Sequence, residues 1–246
     1  NFVVTAGNTP FHMGLSIASW LSDISVIYLS RCSVNYQCAM SEASTESLAG
    51  QAYLMLERDI VTLRLAPGQL LTEAFLIERL GMGRTPVREA VQRLAWEGLM
   101  EIRPRAGVAV AALDPADFAK VLEARRGVEL VLAKSAARFA SSADDEAFAF
   151  VGSQMREAAK KGDVDLFLDA DKAFDTVLAG AAANPYAARL AAPLQTHSRR
   201  FWFRLKRPDS LAKAAERHVA LIEAIMARDE AAAVAAADAL IAHLGR

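Results

Sequence analysis

The sequence predicts a mainly α-helical protein in two parts: three helices that end in a β-hairpin, then an all-α antiparallel helical bundle. Apolar residues recur at helical spacing from Ser47 onward, and a pair of short extended runs interrupts them at residues 99–111. From Asp114 onward alanine is abundant and strand alternation is absent. We therefore expect one domain at residues 41–113 and an all-helical domain at residues 114–246.

The composition is that of an ordinary globular chain. The 246 residues are 53% hydrophobic and 23% charged, with a formal net charge of −1 at pH 7. These values exclude a disordered or fibrous protein and a coat-like nucleic-acid binder. The cysteines are Cys32 and Cys38, a pair that makes a poor zinc site and a weak disulfide framework. Such scarcity is typical of a reducing cytosol, so we expect a cytoplasmic protein.

Residues 1–40 differ from the rest of the chain. Their apolar stretch is broken by serines and by Asp23, and it falls short of the roughly 18 apolar residues that a membrane span needs. The segment also lacks the basic start and the cleavage site of a secretory signal. We interpret it as a disordered extension, or as translated upstream sequence with the true start near Met40, and we expect no contact with a membrane.

The first folded part is predicted as three helices and a hairpin. The helices are expected at 47–63, 72–80 and 84–97, and the extended runs at 99–103 and 108–111. Thr72 is a suitable N-cap. Pro86 stands in the first turn of the third helix, where its missing N–H costs nothing. Helix, helix, turn, helix and hairpin in this order define a winged helix-turn-helix domain.

The remainder is predicted as six helices joined by short connections. They are expected at 115–139, 143–161, 163–182, 185–205, 209–227 and 229–244. Short connections make successive helices antiparallel neighbours, which indicates a bundle. A linker at about residues 112–114 separates this bundle from the hairpin.

The third helix carries the strongest indication of function. Arg84 and Arg88 are four residues apart and share one helix face. Thr85 stands beside Arg84 near the helix N-terminus, where backbone N–H groups favour a phosphate. The opposite face is apolar, so one side of the helix packs while the other presents two guanidinium groups suited to guanine edges or phosphates.

The hairpin extends this basic surface. Arg103 and Arg105 lie near its tip, where they can reach a DNA backbone or minor groove. Over residues 79–105 six arginines stand against three glutamates, a local charge of +3 in a chain of net charge −1. Segregated positive charge of this kind is what a DNA-reading surface needs. The alternative is a solvated helix face whose arginines pair with Glu89 or Glu97.

These segments resemble the GntR family of regulators. The resemblance is carried by Leu65-Ala66-Pro67-Gly68-Gln69-Leu70-Leu71-Thr72-Glu73, by Leu80-Gly81-Met82-Gly83-Arg84-Thr85-Pro86-Val87-Arg88-Glu89-Ala90, and by the run from Leu94 to Gly107. The helical remainder is similar to the ligand domain of the FadR-type branch, called FCD. Together the two resemblances cover all of the chain except the N-terminal extension.

The resemblance implies that the three polar residues of the third helix (Arg84, Thr85, Arg88) contact operator DNA, and that Gly107 lets the hairpin backbone approach it closely. One position departs from the family at the second helix, where Ala74 replaces a frequent DNA-contacting arginine. Another departs at the third helix, where a glycine at position 83 replaces the usual serine or threonine. We therefore expect fewer phosphate contacts, with weaker affinity or a shifted sequence preference.

Candidates for ligand binding lie in the bundle. Asp171 and Asp175 are four residues apart on one helix face, and His218 lies on a later helix. Bundle arginines are available to meet an anionic ligand, namely Arg125, Arg199, Arg200 and Arg204. Direct clamping of a carboxylate effector by Arg125 or Arg200 is one hypothesis. The alternatives are that His218 is a satisfied core histidine and that the aspartates pair with an arginine such as Arg125.

Many FCD domains bind a divalent metal through an Asp-x3-His pair and two later histidines. By this resemblance Asp171 and His218 match the first and third ligands, while Asp175 replaces the histidine of the pair. The fourth position falls near Leu240, and His243, three residues later, is rotated by roughly 300° and is expected to miss the site. The resemblance thus leaves Asp171, Asp175 and His218 as a degenerate site for zinc or nickel.

Taken together, these patterns favour a DNA-binding transcriptional regulator. We expect a homodimeric repressor that reads a short inverted repeat of double-stranded DNA and responds to a small organic-acid effector in the bundle. One alternative is a metal-dependent enzyme using Asp171, Asp175 and His218, but the chain shows no nucleophile motif or phosphate loop, so we expect no enzyme. The other is an architectural DNA binder whose helical domain has a solid core without a polar pocket.

Overall fold

The computed structural model describes residues 47–207 and 209–245, so the interpretation of residues 1–40 lies outside the described residues. Within the described ranges the chain forms nine helices and one three-stranded sheet. The mainly α-helical fold predicted from the sequence is confirmed. Apolar side chains form two large clusters, one within residues 52–110 and the other almost entirely within the bundle.

The N-terminal elements follow the predicted order. They are α1 Leu48–Val61, β1 Leu70–Leu71, α2 Glu73–Leu80, α3 Arg84–Trp96, β2 Met100–Arg103 and β3 Gly107–Val110. Thr72 caps α2, because its hydroxyl oxygen accepts a hydrogen bond from the Phe75 N–H at 3.1 Å. The apolar face of α3 is buried, as its helical spacing requires; its members are Val87, Ala90, Val91 and Leu94.

The sheet supports the hairpin. Its strand order is β1-β3-β2, and both pairings are antiparallel. Gly107, opposite Arg103, has a φ of +101°, and a Cβ at this position would lie 2.5 Å from the carbonyl oxygen of Leu71. Only glycine fits there, since a side chain would be both strained and in collision with the neighbouring backbone. The arrangement of three helices and this hairpin is a winged helix-turn-helix.

The bundle has the predicted six helices. They are α4 Pro115–Phe139, α5 Ser142–Lys161, α6 Val164–Ala181, α7 Pro185–Leu205, α8 Ser210–Met226 and α9 Glu230–Leu244. Side-chain oxygens cap several of their N-termini, and the capping residues are Asp114, Ser141, Asp163 and Asp229. A cap of this kind satisfies an N–H that has no partner within the helix, which fixes where the helix begins.

Packing within the bundle joins α4 to α7 and α9, and α5 to α6 and α8. Phe148 and Phe174 are fully buried, with ring centroids 6.1 Å apart. None of the described helices combines the length and the apolarity that a membrane crossing requires. The linker predicted at 112–114 falls between β3 and α4, while the domain boundaries themselves stay a prediction.

The two parts touch through α1 and α7. Val61, at the end of α1, packs into the apolar cluster of the bundle. Nearby, the Tyr53 hydroxyl donates a hydrogen bond to the Glu97 carboxylate at 2.7 Å, and Nε2 of His197 lies 2.8 Å from the Glu97 carbonyl oxygen. The His197 contact places the end of α3 directly against the helical domain.

Candidate nucleic-acid interface and effector pocket

The N-terminus of α3 is exposed and carries no side-chain cap. Gly83 is the N-cap residue and makes no capping hydrogen bond through a side chain. A helix start leaves several N–H groups without intrahelical partners. Arg84, Thr85 and Arg88 are all exposed around it, on the side away from the buried stripe. This end of α3 therefore presents N–H groups, a hydroxyl and two guanidinium groups together, which is an arrangement that binds phosphate and base edges.

Glu73 joins the two arginines of α3. Its Oε1 lies 2.6 Å from Nε of Arg84, and its Oε2 lies 2.7 Å from Nε of Arg88. The arginine side chains are 70% and 60% exposed, so water screens these pairs and they contribute little to stability. Their effect is to hold the two guanidinium groups side by side. Glu73 precedes Arg88 by 15 positions, so no local sequence pattern links them.

The hairpin tip carries the other two candidate arginines. Arg103 pairs with Glu101 at 2.9 Å, and Arg105 has a φ of +66° at the turn. Both side chains are exposed. Gly107 is explained by its close approach to Leu71 within the sheet, so its contact with DNA stays a prediction.

Two arginines of the basic stretch have structural roles. Arg79 donates to Asp59 at 2.7 Å. Arg93 donates to Glu97 at 3.0 Å, and its guanidinium lies 3.6 Å from the centre of the Tyr53 ring. Of these two, Arg93 fits the alternative in which arginines pair with Glu89 or Glu97, whereas Arg79 pairs with Asp59 of α1. The exposed positive charge is concentrated at the start of α3 and at the hairpin tip.

A buried polar cluster lies in the bundle, centred on Arg199. Its Nε donates to Oδ2 of Asp171 at 2.6 Å, and its Nη2 donates to Oδ2 of Asp175. All three residues are buried. The two carboxylates do share one face of α6, as their spacing predicts, and a single guanidinium from α7 bridges them. Buried charges of this kind need such a partner.

His218 completes the cluster from α8. Its Nε2 lies 2.9 Å from Oδ1 of Asp171, and its Nδ1 lies 2.8 Å from the carbonyl oxygen of Ala214. Burial lowers the pKa of His218, but the hydrogen bond and the charge of Asp171 outweigh burial, so the pKa is raised above its ordinary value. Phe167 and Phe174 meet the imidazole edge to face, with ring centroids 5.8 and 5.3 Å away.

The two carboxyl groups have opposite pKa shifts. Burial raises the pKa of Asp171, but Arg199 and His218 outweigh burial and hold that pKa well below its usual range. For Asp175 burial is the largest influence, and the negative charges of Asp171 and Glu129 add to it, so its pKa is raised to about 7 despite the nearby arginines. Two acids on one helix face thus have pKa values shifted in opposite directions, because they face different charges.

The three other candidate arginines have different surroundings, and Arg204 is exposed. Arg125 joins the cluster, donating to the Ser198 hydroxyl at 3.0 Å and to Glu129 at 3.1 Å. Arg200 is fully buried, donates from Nη2 to the carbonyl oxygen of Ala111 at 2.7 Å, and does not line the cavity next to Arg125. Arg200 therefore contacts the linker after β3.

The zinc or nickel site predicted from the sequence does not fit these residues. The Arg199 guanidinium bridges Asp171 and Asp175 and supplies the positive charge that a metal would bring. In the ranges that the structure describes, no group of three or more histidine, cysteine, aspartate or glutamate side chains is arranged to hold a metal ion. Leu240, at the expected fourth position, is fully buried, and His243 lines a different cavity.

A small cavity opens beside the cluster. Its volume is about 20 Å³, enough for about one water molecule. Its polar wall is formed by Arg125, Asp171, Ser198, Arg199 and His218, and its apolar wall by Phe167, Leu168, Trp202, Ala214 and Leu244. Trp202 and Leu244 also line a wider opening of about 560 Å³. These two side chains therefore belong to the walls of both spaces.

The fold and the exposed arginines of α3 define a winged helix-turn-helix DNA-binding protein with an attached helical domain. Residues 48–110 match the family model for bacterial regulatory proteins of the gntR family, and residues 120–243 match the model for the FCD domain. The chain belongs to the GntR family of transcription regulators and carries an FCD domain. These matches describe a DNA-binding regulator of transcription and not an enzyme.

Relatives agree with this assignment. The chain is 30% identical to an HTH-type transcriptional regulator from Agrobacterium vitis, over 60% of this chain and 88% of that protein. It is 32% identical to the transcriptional repressor RspR of Escherichia coli K12, over 54% of this chain and 59% of that protein. A 40% identical match to a Streptomyces ambofaciens regulator spans only 39% of that protein.

Solved structures show the same fold. E. coli McbR/YncC superimposes with a TM-score of 0.70 at 21% identity, over 80% of this chain and 94% of that chain. A GntR regulator from Rhodococcus sp. RHA1 gives a TM-score of 0.62 at 20% identity, over 79% of this chain and 93% of that chain. At these identities the likeness concerns the fold alone.

Proposed function

We propose that this regulator is a homodimeric repressor whose operator binding is released by a small carboxylate effector in the FCD domain. The proposal that an effector binds in the FCD domain rests on the cluster of buried cations beside the cavity. Arg125, Arg199 and His218 all line it, and cationic donors beside apolar walls are what a carboxylate ligand needs.

DNA recognition is assigned to the start of α3 and to the hairpin. Arg84, Thr85 and Arg88 would read base edges and phosphates in the major groove, while Arg103 and Arg105 would contact the backbone or minor groove. A two-fold protein presents two such surfaces to a two-fold operator, which is why the proposal includes a homodimer. Because the target is chromosomal DNA, the proposal places the protein in the cytoplasm.

Repression is proposed by analogy with relatives. RspR of E. coli is named a repressor. A protein from Paenarthrobacter nicotinovorans, 28% identical over 76% of this chain and 85% of its own length, is named a probable repressor of D-xylose utilization. Neither name assigns an effector to this chain, so a carboxylate is proposed from the cations of the cavity alone.

The cavity must open before an acid binds. At about 20 Å³ it is far smaller than the several hundred Å³ of an ordinary ligand site. Trp202 and Leu244 line both this cavity and the wider opening at the end of the bundle. Displacing them would join the two spaces, and the effector's binding energy would have to cover that rearrangement.

The test is fluorescence anisotropy with DNA from the protein's own promoter, in a salt series, for wild type and for Arg88→Ala. Arg138→Ala is the matched control, because Arg138 is an exposed arginine at the far end of α4. We expect specific binding with a steep salt dependence, lost specificity in Arg88→Ala and no change in the control. Equal binding of promoter and random DNA by wild type would contradict the proposal.

The same assay tests the effector. A panel of acetate, lactate, gluconate and glutamate is added to the preformed complex, and release by at least one acid is expected. Arg125→Gln should abolish that release while leaving DNA binding in place. Specific DNA binding that none of these acids weakens would favour the ligand-free architectural DNA binder instead.

A further inference from the structure

We propose that Arg199 couples the effector cavity to the DNA-binding domain, because Glu57 of α1 and the acids at the cavity compete for its single guanidinium. The inference rests on the proposed function, since it assigns to the proposed effector site the route by which a ligand reaches α1. In this route a carboxylate bound in the cavity draws Arg199 away from Glu57 and loosens the contact between the two domains.

Glu57 is the unusual residue in this arrangement. It belongs to α1 of the DNA-binding domain, yet its side chain is only 4% exposed because it is inserted against the helical domain. Its Oε1 accepts a hydrogen bond from the Thr196 hydroxyl at 2.8 Å, and its Oε2 pairs with Lys172. A glutamate buried this deeply persists only when it is paired, and both partners come from the bundle.

Arg199 faces this carboxylate and the cavity at the same time. Its Nη1 lies 3.9 Å from Oε1 of Glu57, while its Nε and Nη2 bind Asp171 and Asp175. It also lines the cavity with His218. One planar guanidinium thus meets three carboxylates through three different nitrogens, and Glu57 is the most distant of the three.

Competition follows from this geometry. The guanidinium is rigid and buried, so it cannot approach one set of acids without leaving another. A fourth carboxylate on the cavity side shifts the balance away from Glu57. By thermodynamic linkage the effect is reciprocal: tighter engagement of Glu57 must weaken binding of an acid in the cavity by the same factor.

A second group of three charged residues between the same domains serves as a contrast. Arg58 of α1 pairs with Asp165 at 2.9 Å and also with Asp169, but these side chains are 36%, 61% and 60% exposed. Exposed pairs are screened by water and contribute little. None of the contacts described for Arg58 involves the cavity cluster, so Asp165→Asn is a suitable control.

The test is a double-mutant cycle between Glu57→Gln and Asp175→Asn, measured by denaturant unfolding of the full chain without DNA or ligand. These residues share Arg199 as a partner. In each single variant Arg199 retains the other acid, whereas the double variant leaves it only Asp171. Each variant changes the unfolding equilibrium constant by some factor relative to wild type. We expect the factor for the double variant to exceed the product of the two single-variant factors at least about threefold.

The control cycle pairs Asp165→Asn with Asp175→Asn. In this cycle the factor by which the double variant changes the unfolding equilibrium constant should equal the product of the two single-variant factors. Hydrogen exchange provides the second readout: Asp175→Asn should slow exchange of the α1 amides, because Arg199 is then free to approach Glu57. A multiplicative Glu57/Asp175 cycle, or unchanged exchange in α1, would overturn the proposal.

Should Asp175→Asn fail to fold, Arg199→Lys replaces it in the cycle. A lysine keeps the charge but cannot span both Asp171 and Asp175. The factor by which Glu57→Gln changes the unfolding equilibrium constant should therefore differ at least about threefold between the Arg199→Lys background and wild type. An unchanged factor would overturn the proposal. Neither cycle contains DNA. A result without coupling between Glu57 and Asp175, in a protein that still binds its promoter specifically, would therefore refute only the proposed role of Arg199. Retained coupling with no specific promoter binding refutes the proposed function alone.

Discussion

Nε2 of His218 lies 2.9 Å from Oδ1 of Asp171, and the other ring nitrogen faces a carbonyl oxygen at 2.8 Å. Because both nitrogens face acceptors, the imidazole is suited to carry two protons and a positive charge. Together with Arg125 and Arg199 it places three cations among the acids of the cluster. The balance between these charges determines how the domain responds to pH.

We predict that Asp175 makes the folded state less stable as the pH rises. Its folded-state pKa is about 7, against about 3.9 when unfolded. Between these values the folded state holds the extra proton, so the free energy of unfolding falls with increasing pH, by at most about 1.4 kcal/mol per pH unit. The groups that face Asp175 are Arg199, Arg125, Asp171 and Glu129.

Denaturant unfolding from pH 4 to 8 measures this dependence. The difference in stability between wild type and Asp175→Asn should grow in favour of the variant as the pH rises through this window. Glu146→Gln, an exposed acid on α5, is the control and should give no such trend. A constant difference between wild type and Asp175→Asn at all pH values would contradict the prediction.

We predict that the wild-type protein does not depend on a metal, whereas Arg199→Ala acquires an affinity for zinc. Removing the guanidinium leaves Asp171, Asp175 and His218 without the cation that holds them together. Two carboxylates and an imidazole are ligands that zinc accepts. In thermal unfolding, EDTA should leave the wild-type midpoint unchanged, and Zn²⁺ should raise the midpoint of the variant only. A wild-type midpoint that falls in EDTA would show that a metal is present after all.

Glu73→Gln is expected to make DNA binding tighter and less selective. The glutamate holds Arg84 and Arg88 side by side, and its charge also repels phosphates. Neutralising it strengthens the attraction to any DNA and releases the two guanidinium groups from one orientation. Anisotropy should show higher affinity for random DNA and a smaller ratio between promoter and random DNA. The same change at the exposed Glu78 of α2 should leave this ratio intact.

Gly107→Ala should destabilise the winged domain by roughly 1–3 kcal/mol. A Cβ would lie 2.5 Å from the Leu71 carbonyl oxygen, at a φ of +101°. Gly127→Ala is the matched substitution, since Gly127 lies within α4 with nothing within 4 Å of an added Cβ. It should instead stabilise the helix by about 1 kcal/mol. Equal stability of the two variants in denaturant unfolding would disprove the steric argument.

The fold was predictable because its signals are local. N-caps such as Thr72 and Asp114 are fixed by the residues immediately after them, and the stripe of α3 follows from spacing alone. Gly107 was also identified, although the sheet contact that requires it is not visible in the sequence.

The site was predictable only in part, because its defining contacts are distant in sequence. The spacing of Asp171 and Asp175 placed them on one face, but the bridging arginine is 28 and 24 positions away from them. Glu57 and Thr196 are 139 positions apart, and nothing in a helical repeat indicates that a glutamate on it will be buried. Charge pairing between domains is set by packing, which only the structure shows.

The short connection between β3 and α4 limits how far the winged domain can move relative to the helical bundle. Residues 111–114 separate these elements, and four residues extend over at most about 14 Å. Arg200 holds the first of them through the carbonyl oxygen of Ala111. A regulator tethered this tightly cannot search for an operator by swinging its winged domain freely. In the homodimer proposed above, the tolerated spacing of operator half-sites should therefore be narrow, within a fraction of one turn of the double helix.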